Sequence, residues 1–327
     1  MLVLVTGGSG FLGSWVAEVL TQRGHEVRAL VRRTSNTTFL ESLANVKLAY
    51  GSVEDASSVD AAMKGVDAVV HAAGLVKARS AAEFHEVNVQ GTVNLLDAAE
   101  KHAPGLKRFV HVSSLEASGP SKDRKPVPVT QEEPCTSYGR SKLAAERAVL
   151  ARKDRLPVIV LRPAAIYGAR DHEILDAFKS VSRGLLPMIA GGTALYTFVH
   201  GSDCAAACVK AIEADVPSGG VYFVDDGAQP ITQKVFLGMV EEAVGKKALL
   251  RVSLPKGLLK GVSMGVQAFG KATNKAVMLT PEKANMLLQD LICESSATRK
   301  DLGWEPKVSL KDGLRATAKW YRENGWL

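Results

Sequence analysis

Short apolar runs alternate with stretches of helical period over the first third of the chain. Five runs have the length of a buried strand, at residues 1–5, 25–31, 46–51, 67–74 and 108–114. Between them, apolar residues recur every three or four positions, as after the first run at Leu12, Val16, Val19 and Leu20. Alternation of buried strands with amphipathic helices predicts an α/β fold with a doubly wound parallel sheet. Such sheets bind ligands beyond the carboxyl ends of their strands.

A glycine-rich turn separates the first predicted strand from the first predicted helix. Residues 6–13 read TGGSGFLG. Gly7 can make the tight turn, Gly10 leaves no side chain in the way of a pyrophosphate, and Gly13 lets the helix lie close to the strand. The N-terminus of the helix then offers N–H groups and a positive dipole to an anion. This order predicts a dinucleotide site, and the alternative is a turn whose glycines serve packing only.

Two arginines follow the second predicted strand. At this place in a dinucleotide-binding unit, an acidic side chain would bind the adenosine ribose of NAD. Residues 31–33 are Val, Arg and Arg instead. A carboxylate would repel a 2′-phosphate, whereas Arg32 and Arg33 can pair with it. The sequence therefore favours NADP(H) over NAD(H), and the alternative is that both arginines only solvate a loop.

A tyrosine and a lysine lie four residues apart at the start of a predicted helix. Residues 134–142 read PCTSYGRSK, which places Tyr138 and Lys142 on one face, one turn apart. Because a nearby cation favours the phenolate, we expect Lys142 to lower the pKa of Tyr138 below its usual value of ~10. Such a tyrosine can exchange a proton with an alcohol or a carbonyl. Ser113 and Ser114 end the fifth predicted strand, and a serine hydroxyl there could bond the same oxygen.

Taken together, these motifs resemble the extended short-chain dehydrogenase/reductase family, also called the NAD-dependent epimerase/dehydratase superfamily, over nearly the whole chain. The turn and the helix are similar to its TGxxGFxG and YxxxK patterns, and residues 161–168 (LRPAAIYG) resemble its RPxxxYG passage beside the nicotinamide. The resemblance implies a Rossmann domain at 1–168, to which 194–227 return. It also implies a smaller, mostly helical C-terminal substrate domain at 169–193 and 228–327.

The resemblance implies roles for individual residues as well. Tyr138 would be the acid/base, Lys142 would bind the nicotinamide ribose, and Ser114 would hold the reacting oxygen. Ser114 is favoured over Ser113 because the family places this hydroxyl five residues before a glycine, here Gly119. The implied coenzyme-binding residues are Gly7, Gly10, Phe11, Leu12, Gly13, Arg32, Arg33, Ser52, Val53, Ala72, Ala73, Gly74, Tyr138, Lys142, Pro163 and Ile166. No metal site is implied.

Departures from the family's motifs narrow the implied function. Leu115 stands where its dehydratases carry an acid, and residues 194–199 (ALYTFV) lack the arginine with which its nucleotide-sugar epimerases hold a pyrophosphate. The arginine-ended second strand and residues 296–304 (SATRKDLGW) resemble the dihydroflavonol reductase and 3β-hydroxysteroid dehydrogenase-like branch. This implies an NADP(H)-preferring oxidoreductase that interconverts a ketone and a secondary alcohol on a hydrophobic, steroid-, flavonoid- or polyketide-like small molecule.

Three alternatives stay open at this point. One is a nucleotide-sugar epimerase that uses bound NAD transiently. Another is a non-catalytic, NADP(H)-binding regulatory protein that keeps the fold, although the complete set of Ser114, Tyr138 and Lys142 disfavours it. The third is a non-redox reaction such as isomerisation at a related position.

Composition and charge exclude some partners. The chain has 41 Lys and Arg against 34 Asp and Glu, but no basic run is interleaved with aromatic residues, so we expect no nucleic-acid partner. The four cysteines form no CxxC pair and have no regular spacing, so the sequence predicts neither a metal site nor a disulfide framework. No apolar run has the ~18 residues of a membrane span, and the chain begins on a predicted strand. We therefore expect a reducing, cytoplasmic location.

Residues 254–271 form an apolar stretch with regular glycines and lysines and no acid. We favour an apolar lid or packing helix for it, and the alternative is a surface helix that contacts anionic lipid. By analogy with the family, the helix that bears Tyr138 would take part in a homodimer contact.

Overall fold

The computed structural model describes all residues, 1–327, and contains thirteen strands. They are β1 (Leu2–Thr6), β2 (Glu26–Val31), β3 (Val46–Tyr50), β4 (Ala68–His71), β5 (Arg108–Val112), β6 (Val158–Pro163), β7 (Ala165–Tyr167), β8 (Leu185–Ile189), β9 (Leu195–Tyr196), β10 (Phe198–His200), β11 (Gly220–Val224), β12 (Ile231–Thr232) and β13 (Leu250–Leu254). The five strands predicted from apolar runs are present, with ends shifted by at most three residues.

Thirteen α-helices connect or cover these strands. They are α1 (Phe11–Gln22), α2 (Thr38–Glu41), α3 (Ala56–Met63), α4 (Ala81–Phe84), α5 (Gly91–His102), α6 (Ser137–Leu150), α7 (Leu175–Ser182), α8 (Gly201–Glu213), α9 (Gln233–Val244), α10 (Lys256–Thr273), α11 (Pro281–Met286), α12 (Ser296–Leu302) and α13 (Leu310–Glu323). Short 3₁₀ turns lie at Leu115–Ala117 and Ala190–Gly192.

Seven strands form one parallel sheet, in the order β11-β6-β5-β4-β1-β2-β3. The predicted doubly wound α/β fold is therefore confirmed. The chain leaves β1 for β2 on one side and later returns to β4 on the other side. Ligands of open parallel sheets bind at such a reversal, beyond the carboxyl ends of the strands.

Both faces of the sheet are covered, which explains why its central strands are continuous apolar runs. On one face, Val3 and Val5 of β1 pack with α1 and α8. On the other face, Leu4 packs with Leu95 and Leu96 of α5 and with α3. Because successive side chains of a strand point to opposite faces, β1 joins both cores and fixes the turn that follows it.

The helical segment between β4 and β5 is interrupted within residues 84–100. α4 passes into a π-helical turn at His85–Gln90 before α5 begins. The apolar spacing did not show this turn, because one widened turn changes the period little over seventeen residues. π-Turns within helices often mark functional positions.

Other elements form a third apolar core. It contains Tyr167, Phe178, Leu314 and Tyr321, and it is built from α7, β8, α9 and α13. One part of the predicted substrate domain packs elsewhere: α12 contacts α8 and β11, and Trp304 is buried in the core beside β1. The indole of Trp304 donates to the carbonyl oxygen of Asp203 at 3.0 Å. Residues 296–304 thus lie with the Rossmann domain rather than with the 228–327 segment to which the sequence assigned them.

No helix in the chain combines the length and the apolar character needed to cross a bilayer.

Candidate active site and coenzyme cleft

A cleft of about 450 Å³ opens at the carboxyl ends of β1, β2 and β4. The glycine turn forms its floor. Gly7 has φ +71°, and a Cβ there would lie 2.8 Å from the backbone nitrogen of Ala73. A Cβ on Gly13 would lie 2.1 Å from the carbonyl oxygen of Gly7. A side chain at Gly13 would push α1 away from the turn, and one at Gly7 would push the turn away from the backbone that follows β4. Glycine at both positions is therefore a packing requirement of the turn.

The N-terminus of α1 lines this cleft, and no side chain caps its backbone N–H groups. Gly10 is its N-cap residue, no side chain accepts a hydrogen bond from the first turn, and that turn carries no acid. Its free N–H groups and the helix dipole therefore favour an anion. The cleft volume lies in the usual range for small-molecule sites, about 300–1,000 Å³. The residues present fit the pyrophosphate of NAD(P).

Most of the coenzyme-binding residues predicted from the sequence line this cleft. They are Gly7, Gly10, Phe11, Leu12, Gly13, Arg32, Ser52, Val53, Ala72, Ala73, Gly74, Tyr138, Lys142 and Ile166. Two are not part of the lining. Arg33 places its guanidinium 5.3 Å from the ring centroid of Tyr50, and Pro163 is buried at the end of β6.

The far wall of the cleft was missed by the sequence reasoning. It is formed by Asp171, His172 and Glu173, just past the predicted RPxxxYG passage. Glu173 reaches Lys77 across the cleft at 3.4 Å, and His172 stacks on Trp326 with ring centroids 4.2 Å apart. Burial raises the pKa of the Asp171 carboxyl to about 7. The only signal in the sequence was the three polar residues directly after a coenzyme-binding motif.

Ser114, which follows β5, lies near Tyr138 of α6. The predicted lowering of the Tyr138 pKa is wrong for this structure. Desolvation of the phenol raises its pKa well above the usual value, and the nearby Glu116 carboxylate adds to the rise. The nearby Ser114 hydroxyl offsets part of this rise in the pKa. The Lys142 ammonium does not compensate, because it donates to the carbonyl oxygen of Val112 at 2.6 Å. The phenol of Tyr138 is therefore protonated near neutral pH.

Lys142 is almost completely buried, on the inner face of α6. Desolvation lowers its pKa to about 8, although the carboxylate of Glu146 favours the charged form. Between the folded value and the unfolded value of 10.5, the unfolded chain binds more protons than the folded chain. Burial of this lysine therefore costs stability near neutral pH, and that cost falls as the pH rises.

This gives a testable pH dependence. We expect the free energy of unfolding of the native chain to rise by about 2 kcal/mol, relative to a Lys142→Met variant, between about pH 7.5 and about pH 9.5. Urea unfolding of both proteins at the two pH values measures it. A constant difference between them would contradict the lowered pKa.

Asn88 joins the coenzyme cleft to the catalytic helix. It lies in the π-helical turn, where its side chain accepts from the N–H of Leu75 at 2.7 Å and donates to the hydroxyl of Ser141 at 2.9 Å. A Cβ on Gly74 would lie 3.1 Å from the amide oxygen of Asn88. This contact holds the end of β4 against α6. The position of Asn88 depends on the π-helical turn, which the apolar spacing did not show.

Ser113 is committed to a buried network. Its hydroxyl donates to Glu146, one turn after Lys142 on α6, and Glu146 pairs with Arg162 of β6 at 2.6 Å. Arg162 also donates to the hydroxyl of Ser118 and to the carbonyl oxygen of Val129. The network leaves Ser114 as the hydroxyl beside Tyr138, and it fixes the inner face of α6.

Two residues of α11 contact Glu116 and the start of α6. Lys283 donates to the Glu116 carboxylate at 2.7 Å, and Glu282 accepts from the backbone N–H of Ser137 at 2.6 Å. Glu282 also pairs with Arg140. These contacts place α11 directly against the start of α6.

The sequence profile of the NAD dependent epimerase/dehydratase family matches residues 3–224. Over 327 residues the chain is 32% identical to the ceramide reductase of Caulobacter vibrioides, covering 100% of this chain and 96% of that protein. It is 29% identical over 343 residues to the 3 beta-hydroxysteroid dehydrogenase/Delta 5-->4-isomerase of Mycobacterium tuberculosis, covering 98% and 90%.

The dTDP-glucose 4,6-dehydratase of Streptomyces venezuelae, solved with NAD and TYD bound, superposes with a TM-score of 0.80 at 26% identity. The superposition covers 100% of this chain and 98% of that one.

Proposed function

Because this chain belongs to the NAD dependent epimerase/dehydratase family, we propose that it interconverts a ketone and a secondary alcohol on a hydrophobic small molecule, with NADP(H) as the preferred coenzyme. The chain is an NAD(P)-dependent dehydrogenase or reductase. The proposal adds a substrate class, a coenzyme preference and a role for Tyr138. The observation that supports it is that Tyr138 and Lys142 line the coenzyme cleft, with the Ser114 hydroxyl near enough to Tyr138 to affect its pKa.

The coenzyme, when bound, supplies or accepts the hydride. During reduction, Tyr138 donates its proton to the carbonyl oxygen, and Ser114 donates a hydrogen bond to that oxygen as negative charge develops. The raised pKa of Tyr138 suits this direction, because the phenol carries the proton that the product needs. Lys142 binds the nicotinamide ribose, once its ammonium exchanges its bond to Val112 for the sugar hydroxyls.

The apolar character of residues 194–199 supports a hydrophobic substrate. The passage that would hold a sugar nucleotide has no arginine, and its Phe198 is buried against Phe236 with stacked rings 4.7 Å apart. The hydroxyl of Tyr196 is satisfied by the carbonyl oxygen of Leu287 at 2.7 Å. A diphosphate placed here would lose its hydration without gaining a cationic partner. The names of two relatives, a ceramide reductase and a steroid dehydrogenase, agree with an apolar substrate.

The proposal is tested by following NADPH oxidation with ketones graded from small and polar to steroid- or sphingoid-sized and apolar. We expect turnover to rise with apolar size and to consume one NADPH for each alcohol formed. Epimerisation of a sugar nucleotide without net consumption of coenzyme would replace this proposal with the epimerase alternative. Tight NADPH binding without turnover of any carbonyl would favour a regulatory protein.

The coenzyme preference rests on Arg32, which lines the cleft beyond β2. We expect Arg32→Ala to raise the Kd for NADPH about tenfold, because a charge-assisted bond to the 2′-phosphate is lost. The Kd for NADH should stay unchanged. Fluorescence titration with both coenzymes measures the two values.

Arg33→Ala is the matched control, because this neighbouring guanidinium lies over Tyr50 and outside the cleft lining. It should change the NADPH affinity less than Arg32→Ala does. Equal affinity of the native protein for NADH and NADPH would contradict the preference itself.

A further inference from the structure

The net positive charge of this protein comes from one part of the chain. Residues 243–281, here called the basic segment, contain no Asp or Glu and carry seven cations: Lys246, Lys247, Arg251, Lys256, Lys260, Lys271 and Lys275. The whole chain has 41 Lys and Arg against 34 Asp and Glu, so the remainder is balanced. Arg251 pairs with Glu241, but none of the six lysines forms an ion pair.

The same segment exposes much of the apolar surface. Eleven large hydrophobic side chains are exposed in the whole protein. Six of them lie in the basic segment, and these are Leu249, Leu250, Leu258, Val262, Met264 and Phe269. Phe269 is 62% exposed and Leu249 is 91% exposed. Unpaired cations and exposed apolar side chains in one segment are typical of a protein surface that binds an anionic lipid bilayer.

Helix α10 arranges these residues on two flanks. Its inner face buries Leu259, Ser263 and Gly270. One flank carries an apolar stripe at helical spacing: Leu258, Val262 and Phe269. The other flank carries Lys260, Met264 and Lys271. Between the flanks, a Cβ on Gly257, Gly261 or Gly265 would meet nothing within 4 Å. The outward face of the helix therefore has only glycine hydrogens along its middle at these three positions. Apolar side chains flank it on one side and lysines on the other.

We propose that α10 and residues 245–250, which lead into β13, bind the surface of an anionic phospholipid bilayer. The helix lies in the plane of the interface, its apolar stripe enters the acyl boundary, and its lysine stems extend toward the phosphates. A second copy of the chain is a poorer occupant, because two basic segments would meet with like charge. This inference goes beyond the proposed function and does not depend on it, since binding needs neither coenzyme nor substrate.

The bilayer surface would lie one helix away from the catalytic residues. α10 packs on α11, and a groove of about 460 Å³ runs between them, bordered by Leu259, Leu288 and the lysine stems of α10. α11 holds Glu116 through Lys283, and Glu116 lies close enough to Tyr138 to raise its pKa. No residue of α10 lines the coenzyme cleft itself.

Co-sedimentation of the full chain with vesicles tests the proposal. We expect binding to vesicles of phosphatidylcholine with added phosphatidylglycerol, weak or no binding to phosphatidylcholine alone, and release at high salt. Lys260→Gln with Lys271→Gln should weaken binding at least about tenfold, because two charges near an anionic surface are lost. Leu258→Ser with Phe269→Ser should also weaken it about tenfold or more, since apolar burial is lost.

Matched controls use residues of the same kind outside the basic segment. Lys47→Gln with Lys319→Gln removes two exposed lysines, and Val129→Ser removes an exposed apolar side chain. Neither should change vesicle binding. All these positions are exposed, and unchanged thermal unfolding and unchanged basal turnover with a water-soluble ketone verify that each variant is folded.

Several outcomes would overturn the proposal. One is absence of binding to the anionic vesicles, and another is binding that the α10 variants leave unchanged. A third is a dimer, detected by light scattering, that Phe269→Ser abolishes, together with no binding of the native protein to vesicles. That last result would assign the face to self-association.

Discussion

Replacing Tyr138 with Phe is expected to lower turnover by about three orders of magnitude, because the variant loses the proton donor and keeps the ring. Coenzyme affinity should change less than about twofold, since the ring still fills its place beside Phe84, with centroids 6.1 Å apart. Single-turnover kinetics with NADPH and an apolar ketone, together with a coenzyme titration, measure both quantities.

Tyr167→Phe is the matched control for this result. Tyr167 is fully buried, and its hydroxyl makes only a long bond, 3.4 Å, to the carbonyl oxygen of Ser309, outside the cleft. Its removal should leave turnover within a few-fold of the native value. A Tyr138→Phe variant that keeps more than about a tenth of the activity would exclude the phenol as the proton donor.

The sheet and the glycine turn could be predicted because they depend on short-range patterns. A buried parallel strand must be apolar throughout, and its turn must carry glycine where Gly7 and Gly13 meet the backbone within 3 Å. Both requirements act on residues that are consecutive in the sequence, so they can be recognised without the structure. The same holds for Tyr138 and Lys142, since four residues on a helix bring two side chains to one face.

Other features of the site depend on residues far apart in the chain. The pKa of Tyr138 was predicted from Lys142 alone, but the desolvation of the phenol and the approach of Glu116 determine its direction. Glu116 is held there by Lys283, 167 residues away. Such contacts have no period and no spacing rule, so they become visible only when the fold brings the elements together. The return of Trp304 to the first domain was missed for the same reason.

The ion pair between Glu146 and Arg162 carries the largest expected effect on stability. Both side chains are almost completely buried, and Arg162 donates to the carboxylate, to Ser118 and to the carbonyl oxygen of Val129. Arg162→Met should reduce the free energy of unfolding by about 3–5 kcal/mol, because it leaves a buried carboxylate without its cation. A typical domain has only about 5–15 kcal/mol in total.

The double variant Glu146→Leu with Arg162→Met distinguishes a lost partner from a lost attraction. If the cost of the single variant comes from the unpaired carboxylate, removing that carboxylate as well should restore at least half of the lost stability. Urea unfolding with unchanged m-values compares the three proteins, and the native chain serves as the reference. A double variant that is as unstable as Arg162→Met, or less stable, would mean that the pair itself stabilises the fold. In that case the network would hold β6 and α6 together by attraction, and Ser113 would depend on it as strongly as Glu146 does.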